Sequence, residues 1–171
     1  SQDGKAHRIN DWELASRLSY FLWASMHDDE LFRLAAAGTL HQPEVLKAQV
    51  NRMLSDERSR SLGEIFAAQW LKFADLGTRI RLDPIDQPWC TETLMKAMRD
   101  ETSMFLHSLI AENQPLARMI DADYTFINAE LAKHYRMDGI EGEEMRRISL
   151  DPESPRRGLF GKGSVLAVTS F

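Results

Sequence analysis

Residues 9–26, INDWELASRLSYFLWASM, decide how the chain is read, because they join a complete helix start to an unusually aromatic apolar pattern. Asn10 is placed to accept from the free backbone N–H groups of a first turn, and Glu13 can reach back to the N–H of Asn10, which makes a capping box. Ile9 and Leu14 fit a hydrophobic staple around it, while Asp11 and Glu13 put negative charge where the helix dipole favours it. Beyond the cap, Leu14, Leu18, Phe21 and Leu22 recur at spacings of three and four. Trp12, Ala15, Ser19, Trp23 and Met26 make a second stripe. Two apolar faces predict a helix buried on most sides, packed centrally, with Trp12 and Trp23 in the core. Arg17 is the exception among them, expected to pack its stem and meet a carboxylate.

Working outward, the same signals recur. The acidic cluster Asp28, Asp29 and Glu30 opens a second helix with Leu31, Leu34 and Ala35 on its inner face and Gly38 as its stop. Pro43 stands at a first helical position, followed by Val45, Leu46, Gln49, Val50, Met53 and Leu54. Asp56 caps a fourth helix whose Leu62, Ile65, Phe66, Gln69, Trp70 and Phe73 fall on one side, so Trp70 too is expected in the core. The periodicity fails over residues 75–90, where Gly77, Pro84 and Pro88 mark a long connection; Trp89 within it is free to be exposed, although packing is the expected role even there. Thr91 then opens a strong helix to about Glu112, a short helical piece follows Pro115, and Asn128 caps NAELAKHY.

The last third is rich in glycine; ISL at residues 148–150 reads as a short extended piece, and VLAVTSF as either strand or helix. The expected fold is all-α: a compact domain of about six or seven helices over residues 1–150 with an irregular glycine-rich C-terminal segment. Residues 151–171 are expected to pack on those helices or to begin a following domain, and the apolar ending GSVLAVTSF reads as a fragment of a longer protein.

Composition narrows the function. The chain of 171 residues has a net charge of -5, and its arginines Arg146, Arg147, Arg156 and Arg157 are interleaved with acids, so no concentrated positive face invites nucleic acid. No apolar run approaches a membrane span. Cys90 is the single cysteine, which excludes an internal disulfide and multi-cysteine metal sites.

Few residues gather into chemistry. Glu130 and His134 are one helical turn apart and could act as metal ligands or as an acid and base pair, but the ordinary use of that spacing is an ion pair beside a packed Tyr135. Ser103 and His107 share the spacing, yet a mid-helix serine lacks the strained turn and oxyanion donors of a catalytic one. Asp100 and Glu101 lie on different sides of a helix, which suits no glycosidase pair. GLFGKGS, residues 158–164, lacks both the glycine spacing and the hydroxyl after lysine of a phosphate loop.

Taken in order, ELASRLSYFLWASMHDDEL, QVNRMLSDERS, FAAQWL, ADYTFINAELAKHY and RRGLFGKGSVLAVTS resemble the domain of unknown function 1592 of large secreted planctomycete-type proteins. The last segment resembles the entry into the domain of unknown function 1588 that follows it in such proteins. His27 stands where that pattern tends to have proline, and Lys162 and Gly163 replace its more usual Gln and Ala or Gly. If one of Asp100 and Glu101 is buried, this likeness, which places an acid before Thr102, favours Glu101, either as a functional carboxylate or, as the favoured role, holding Arg17 or another arginine. The resemblance implies export to the periplasm or outside the cell. It also implies neighbouring domains in one polypeptide, with a c-type cytochrome module among the possible partners. No CxxCH occurs, so no cofactor is expected in this fragment and covalent haem would lie elsewhere in the full-length protein. Two functions follow: a non-catalytic scaffold or interaction module of an exported redox or polymer-handling protein, or part of an enzyme or electron-transfer unit with a site near Glu101, Asn128, His134 and Tyr135.

Overall fold

The computed structural model describes residues 8–80 and 88–170. The chain is mainly helical with one small two-stranded sheet, so the all-α expectation is corrected by that sheet. It divides into two compact units, residues 1–61 and residues 62–171.

The first unit contains α1 (Asp11–Trp23), α2 (Asp29–Ala36), α3 (Pro43–Leu54) and a 3-10 turn, Glu57–Arg60. The capping box forms as the sequence requires: Asn10 accepts from the Glu13 N–H at 2.9 Å and donates its own N–H to Glu13 at 3.0 Å. Asp28 caps α2 through the Leu31 N–H and also receives Arg52 of α3 at 2.7 Å, so one carboxylate starts a helix and ties a second to it. Trp23 closes the unit, donating from Nε1 to the Met53 carbonyl at 2.9 Å beneath the Arg58 guanidinium, which lies 3.4 Å over the ring.

The buried seam of α1 is Ala15, Ser19, Leu22 and Trp23, narrower than the two stripes predict. Trp12 stays exposed although its ring meets Phe32 of α2 edge-on at 4.9 Å, and Phe21 is 60% exposed. Arg17 lies two residues from this seam, on the opposite face, and is exposed.

The second unit begins with a π-helix, Leu62–Ala67, which runs into α4 (Ala68–Trp70) and a 3-10 turn, Phe73–Asp75. Its i→i+5 bonding rotates the expected stripe. Leu62, Ala67, Ala68 and Phe73 turn inward, and Ile65, Phe66 and Trp70 are left exposed, so Trp70 is not a core residue. Gly63 lets this helix press on the next one: a Cβ there would lie 2.5 Å from the Ser103 carbonyl oxygen. Residues 81–87 of the expected connection lie outside the described residues.

The unit is built on α5 (Glu92–Ala111), capped by Thr91. After it come α6 (Arg118–Asp121), β1 (Tyr124–Ile127), α7 (Ala129–Tyr135), β2 (Arg146–Ser149) and α8 (Gly163–Thr169). β1 and β2 pair antiparallel with Tyr124 opposite Ser149 and Ile127 opposite Arg146. The extended piece expected around ISL therefore falls within β2 in part, while the β1 strand carried no periodic signal, and VLAVTSF is helical over α8 as far as Thr169.

Two apolar clusters flank α5. One joins Phe73, Phe105, Leu106, Leu109, Tyr124, Leu159 and Val165; the other joins Leu76, Leu94, Met98, Ile127 and Leu131. The glycine-rich segment after residue 150 thus gives Leu159 and Val165 to the core of this unit. Between the clusters α5 carries a polar seam, and the chemistry of the chain is concentrated there.

Candidate functional site

Glu101 occupies the middle of α5 with no exposed surface. A carboxylate in such a position needs every lone pair satisfied. Its Oε1 accepts from the Thr125 hydroxyl at 2.6 Å, and its Oε2 accepts from the Tyr135 hydroxyl at 2.6 Å and the Gly163 N–H at 3.4 Å. Lys162, also without exposed surface, places its ammonium 4.0 Å from Oε1. That ammonium donates to Thr125 Oγ1 at 2.9 Å, to the Arg156 carbonyl at 3.1 Å and to the Tyr124 carbonyl at 3.4 Å. Thr125 therefore relays between the charges, taking a hydrogen bond from Lys162 and giving one to Glu101.

Each element supplies one part for a local reason. β1 gives two adjacent residues to α5: the Thr125 hydroxyl reaches Glu101, and Tyr124 meets Phe105 and Ser108. The glycines around Lys162 let the strand-to-helix segment run close: a Cβ on Gly163 would stand 2.6 Å from the Tyr135 hydroxyl, which the Gly163 N–H bonds at 2.8 Å. A second hydroxyl pair, Thr102 with Ser164 at 2.7 Å, repeats the α5 to α8 link one residue on.

Burial governs the protonation of all three titratable groups. It pushes the Glu101 carboxyl up, against the pull of Lys162 and the donors from Thr125, Tyr135 and Gly163. It pushes the Lys162 ammonium down to about 8, with Glu101 pulling up and Arg156 adding to the fall. The Tyr135 phenol is raised far above its usual value by burial and then by the Glu101 charge and hydrogen bond. Arg156 lies over the Tyr135 ring at 3.9 Å and donates to the Gly161 carbonyl.

Of the four residues singled out in the sequence, the structure joins Glu101 and Tyr135 directly. His134 is beside them: its ring stands 5.6 Å from that of Tyr135 and stacks on Trp89 at 4.8 Å with planes 21° apart. Burial and Arg156 hold the imidazole below its usual value. Asn128 is apart from the cluster, capping α7 through the Leu131 N–H and donating to the Glu143 carbonyl. Glu130 takes a hydrogen bond from Thr91 at 3.2 Å, where the sequence led us to expect an ion pair with His134. Asn128 and Glu130 line a cavity of about 520 Å³ whose other wall is Thr93, Lys96 and Asp100 of α5.

The partner expected for Glu101 was Arg17 or another arginine; the cation beside it is Lys162, and its hydrogen bonds come from Thr125, Tyr135 and Gly163. Lys162 was the residue missed. Its signal was a lysine flanked by glycines just before an apolar run, where a solvated lysine has no reason to sit.

Residues 9–137 match PSD4, a family described as protein of unknown function (DUF1592). The chain belongs to this family. The DUF1592 match spans the capped α1 and continues through α7, and it stops short of β2, Lys162 and α8, which the fold nevertheless uses to close the site. No curated protein and no solved structure matches the chain. Among the described residues no group of three or more His, Cys, Asp or Glu side chains is placed to hold a metal ion, and no helix is long and apolar enough to cross a membrane.

Proposed function

We propose that the chain is a non-catalytic helical scaffold or interaction module of a larger exported redox or polymer-handling protein. One observation carries this reading: in the constellation of Glu101, Thr125, Tyr135, Lys162 and Gly163, the charged groups Glu101 and Lys162 have no exposed surface, and the hydroxyl of the partly exposed Tyr135 is spent on Glu101 and Gly163. Such a network fixes the docking of elements on one another. Export, neighbouring domains and a c-type cytochrome module belong to this proposal through the likeness to secreted DUF1592 proteins.

A second reading, a unit of an enzyme or electron-transfer system, is favoured by the Trp89 and His134 stack that runs from an exposed indole to Tyr135. Paired substitutions in the full-length protein separate the two. Under the scaffold reading, Glu130→Gln and Asn128→Ala leave any activity of that protein unchanged per folded molecule, and Glu101→Gln lowers it only as far as it lowers folded protein. Activity lost in Glu130→Gln at unchanged stability would contradict it, as would stoichiometric metal in the purified chain.

A further inference from the structure

The Tyr135 hydroxyl is in an unusual position for a structural tyrosine. It donates a 2.6 Å hydrogen bond to a buried carboxylate, Glu101, while its ring borders the His134 imidazole and, through it, the half-exposed Trp89 indole. The other tyrosines lack this arrangement: Tyr124 shares its hydroxyl proton with Ser108, and Tyr20 is exposed. A phenol that loses an electron becomes a strong acid, so a base already within hydrogen-bond distance takes the proton without any atom having to travel. The stacked rings give the electron a short route to the surface.

We propose that Tyr135 is a redox-active tyrosine, oxidised by one electron through the Trp89 and His134 stack while its phenolic proton passes to Glu101 Oε2. The oxidant is a one-electron metal complex that reaches the exposed edge of Trp89. It takes an electron from the indole, leaving a Trp89 radical cation and the reduced complex. Tyr135 then fills that vacancy, restoring Trp89, and its proton moves to Glu101. The products are a neutral Tyr135 phenoxyl radical, a Glu101 carboxylic acid and an oxidant reduced by one electron, so charge and protons balance. Return of the electron and of the proton closes the cycle.

Arg156 decides the form of the step. Its guanidinium, 3.9 Å over the Tyr135 ring, opposes any positive charge there, so electron loss has to be coupled to proton loss. Thr125 and Lys162 stay bound to the other carboxylate oxygen and hold the acceptor in place throughout. This activity goes beyond a scaffold role and uses the site of the second reading alone, so its failure leaves the scaffold proposal standing.

Photo-oxidation of the 171-residue chain by a ruthenium(III) polypyridyl complex, followed by electron paramagnetic resonance and transient absorption, tests it. Every protein in the test carries Tyr20→Phe, which removes the exposed tyrosine as a direct donor; in the otherwise wild-type chain a tyrosyl radical is expected, forming more slowly in D2O. In Tyr135→Phe it is absent, and in Trp89→Phe, which keeps the stack but not the oxidisable indole, it forms at least several-fold more slowly. Glu101→Gln removes the base and slows the oxidation on the order of a hundredfold. An unchanged tyrosyl signal in Tyr135→Phe would overturn the proposal. So would a rate in Trp89→Phe equal to that of the wild type, a surface change that decides the matter even if Tyr135→Phe does not fold.

Discussion

The two units treat charge in opposite ways. In the first, Asp28, Arg52, Asp56 and Arg58 form a half-exposed lattice around Trp23, with each arginine free to reach water. In the second, Glu101 and Lys162 have no exposed surface at all. The contrast separates two uses of the same chemistry. Solvated pairs add little because water screens them and the side chains lose entropy in meeting. A buried pair need not add stability either, since desolvation offsets the attraction, but it penalises any arrangement that leaves one charge alone.

The largest expected effect is therefore on one half of the buried pair. Lys162→Met should cost about 3–5 kcal/mol of unfolding free energy by chemical denaturation, because Glu101 would stay buried without its counter-charge. The double variant Glu101→Leu with Lys162→Met should recover most of it. The pH dependence sharpens the same comparison. Glu101 holds its proton more tightly folded than unfolded, so its contribution to stability falls as pH rises above the unfolded value of 4.5. Lys162 releases its proton near 8 when folded and near 10.5 when unfolded, so its contribution rises across that interval. Stability relative to the double variant should then pass through a minimum around neutrality, and Lys162→Met should regain stability at mildly acidic pH.

A smaller effect belongs to the first unit. Asn10→Ala removes one side of the capping box and should cost about 1 kcal/mol. The smallest is Asp28→Asn: the Arg52 and Arg58 guanidinium groups beside it oppose the effect of burial and leave its carboxyl below the usual range, yet both partners are solvated. Its cost should stay within about 1 kcal/mol and shrink in high salt. Its pH window is also distinct, for that contribution is present above the unfolded value of 3.8 and is lost as pH falls through the lowered one.

What the sequence made legible was local. The caps at Asn10, Asp28, Thr91 and Asn128 and the proline start at Pro43 each depend on three or four consecutive residues, and each forms. Trp12 and Trp70 were misjudged because which apolar stripe is covered depends on neighbours that periodicity does not name, and a π-helix resets the stripe within a turn. The polar seam shows the same boundary. Glu101 is singled out by the family resemblance, which places an acid before Thr102, but its partner lies in another segment: the glycines around Lys162 mark that lysine as unusual without naming Glu101 as what it meets. The β1 and β2 pairing was missed for a related reason, since both strands are short and join distant residues.

The polar seam of the second unit depends on Lys162 being a charged group closed off from water against Glu101. Nuclear magnetic resonance of the lysine side chains in the intact chain, titrated from neutral to alkaline pH, tests this most directly. One lysine, assigned by its loss in Lys162→Met, should titrate near 8. If Lys162 instead titrates near the ordinary value of 10.5, the buried pair does not exist in solution.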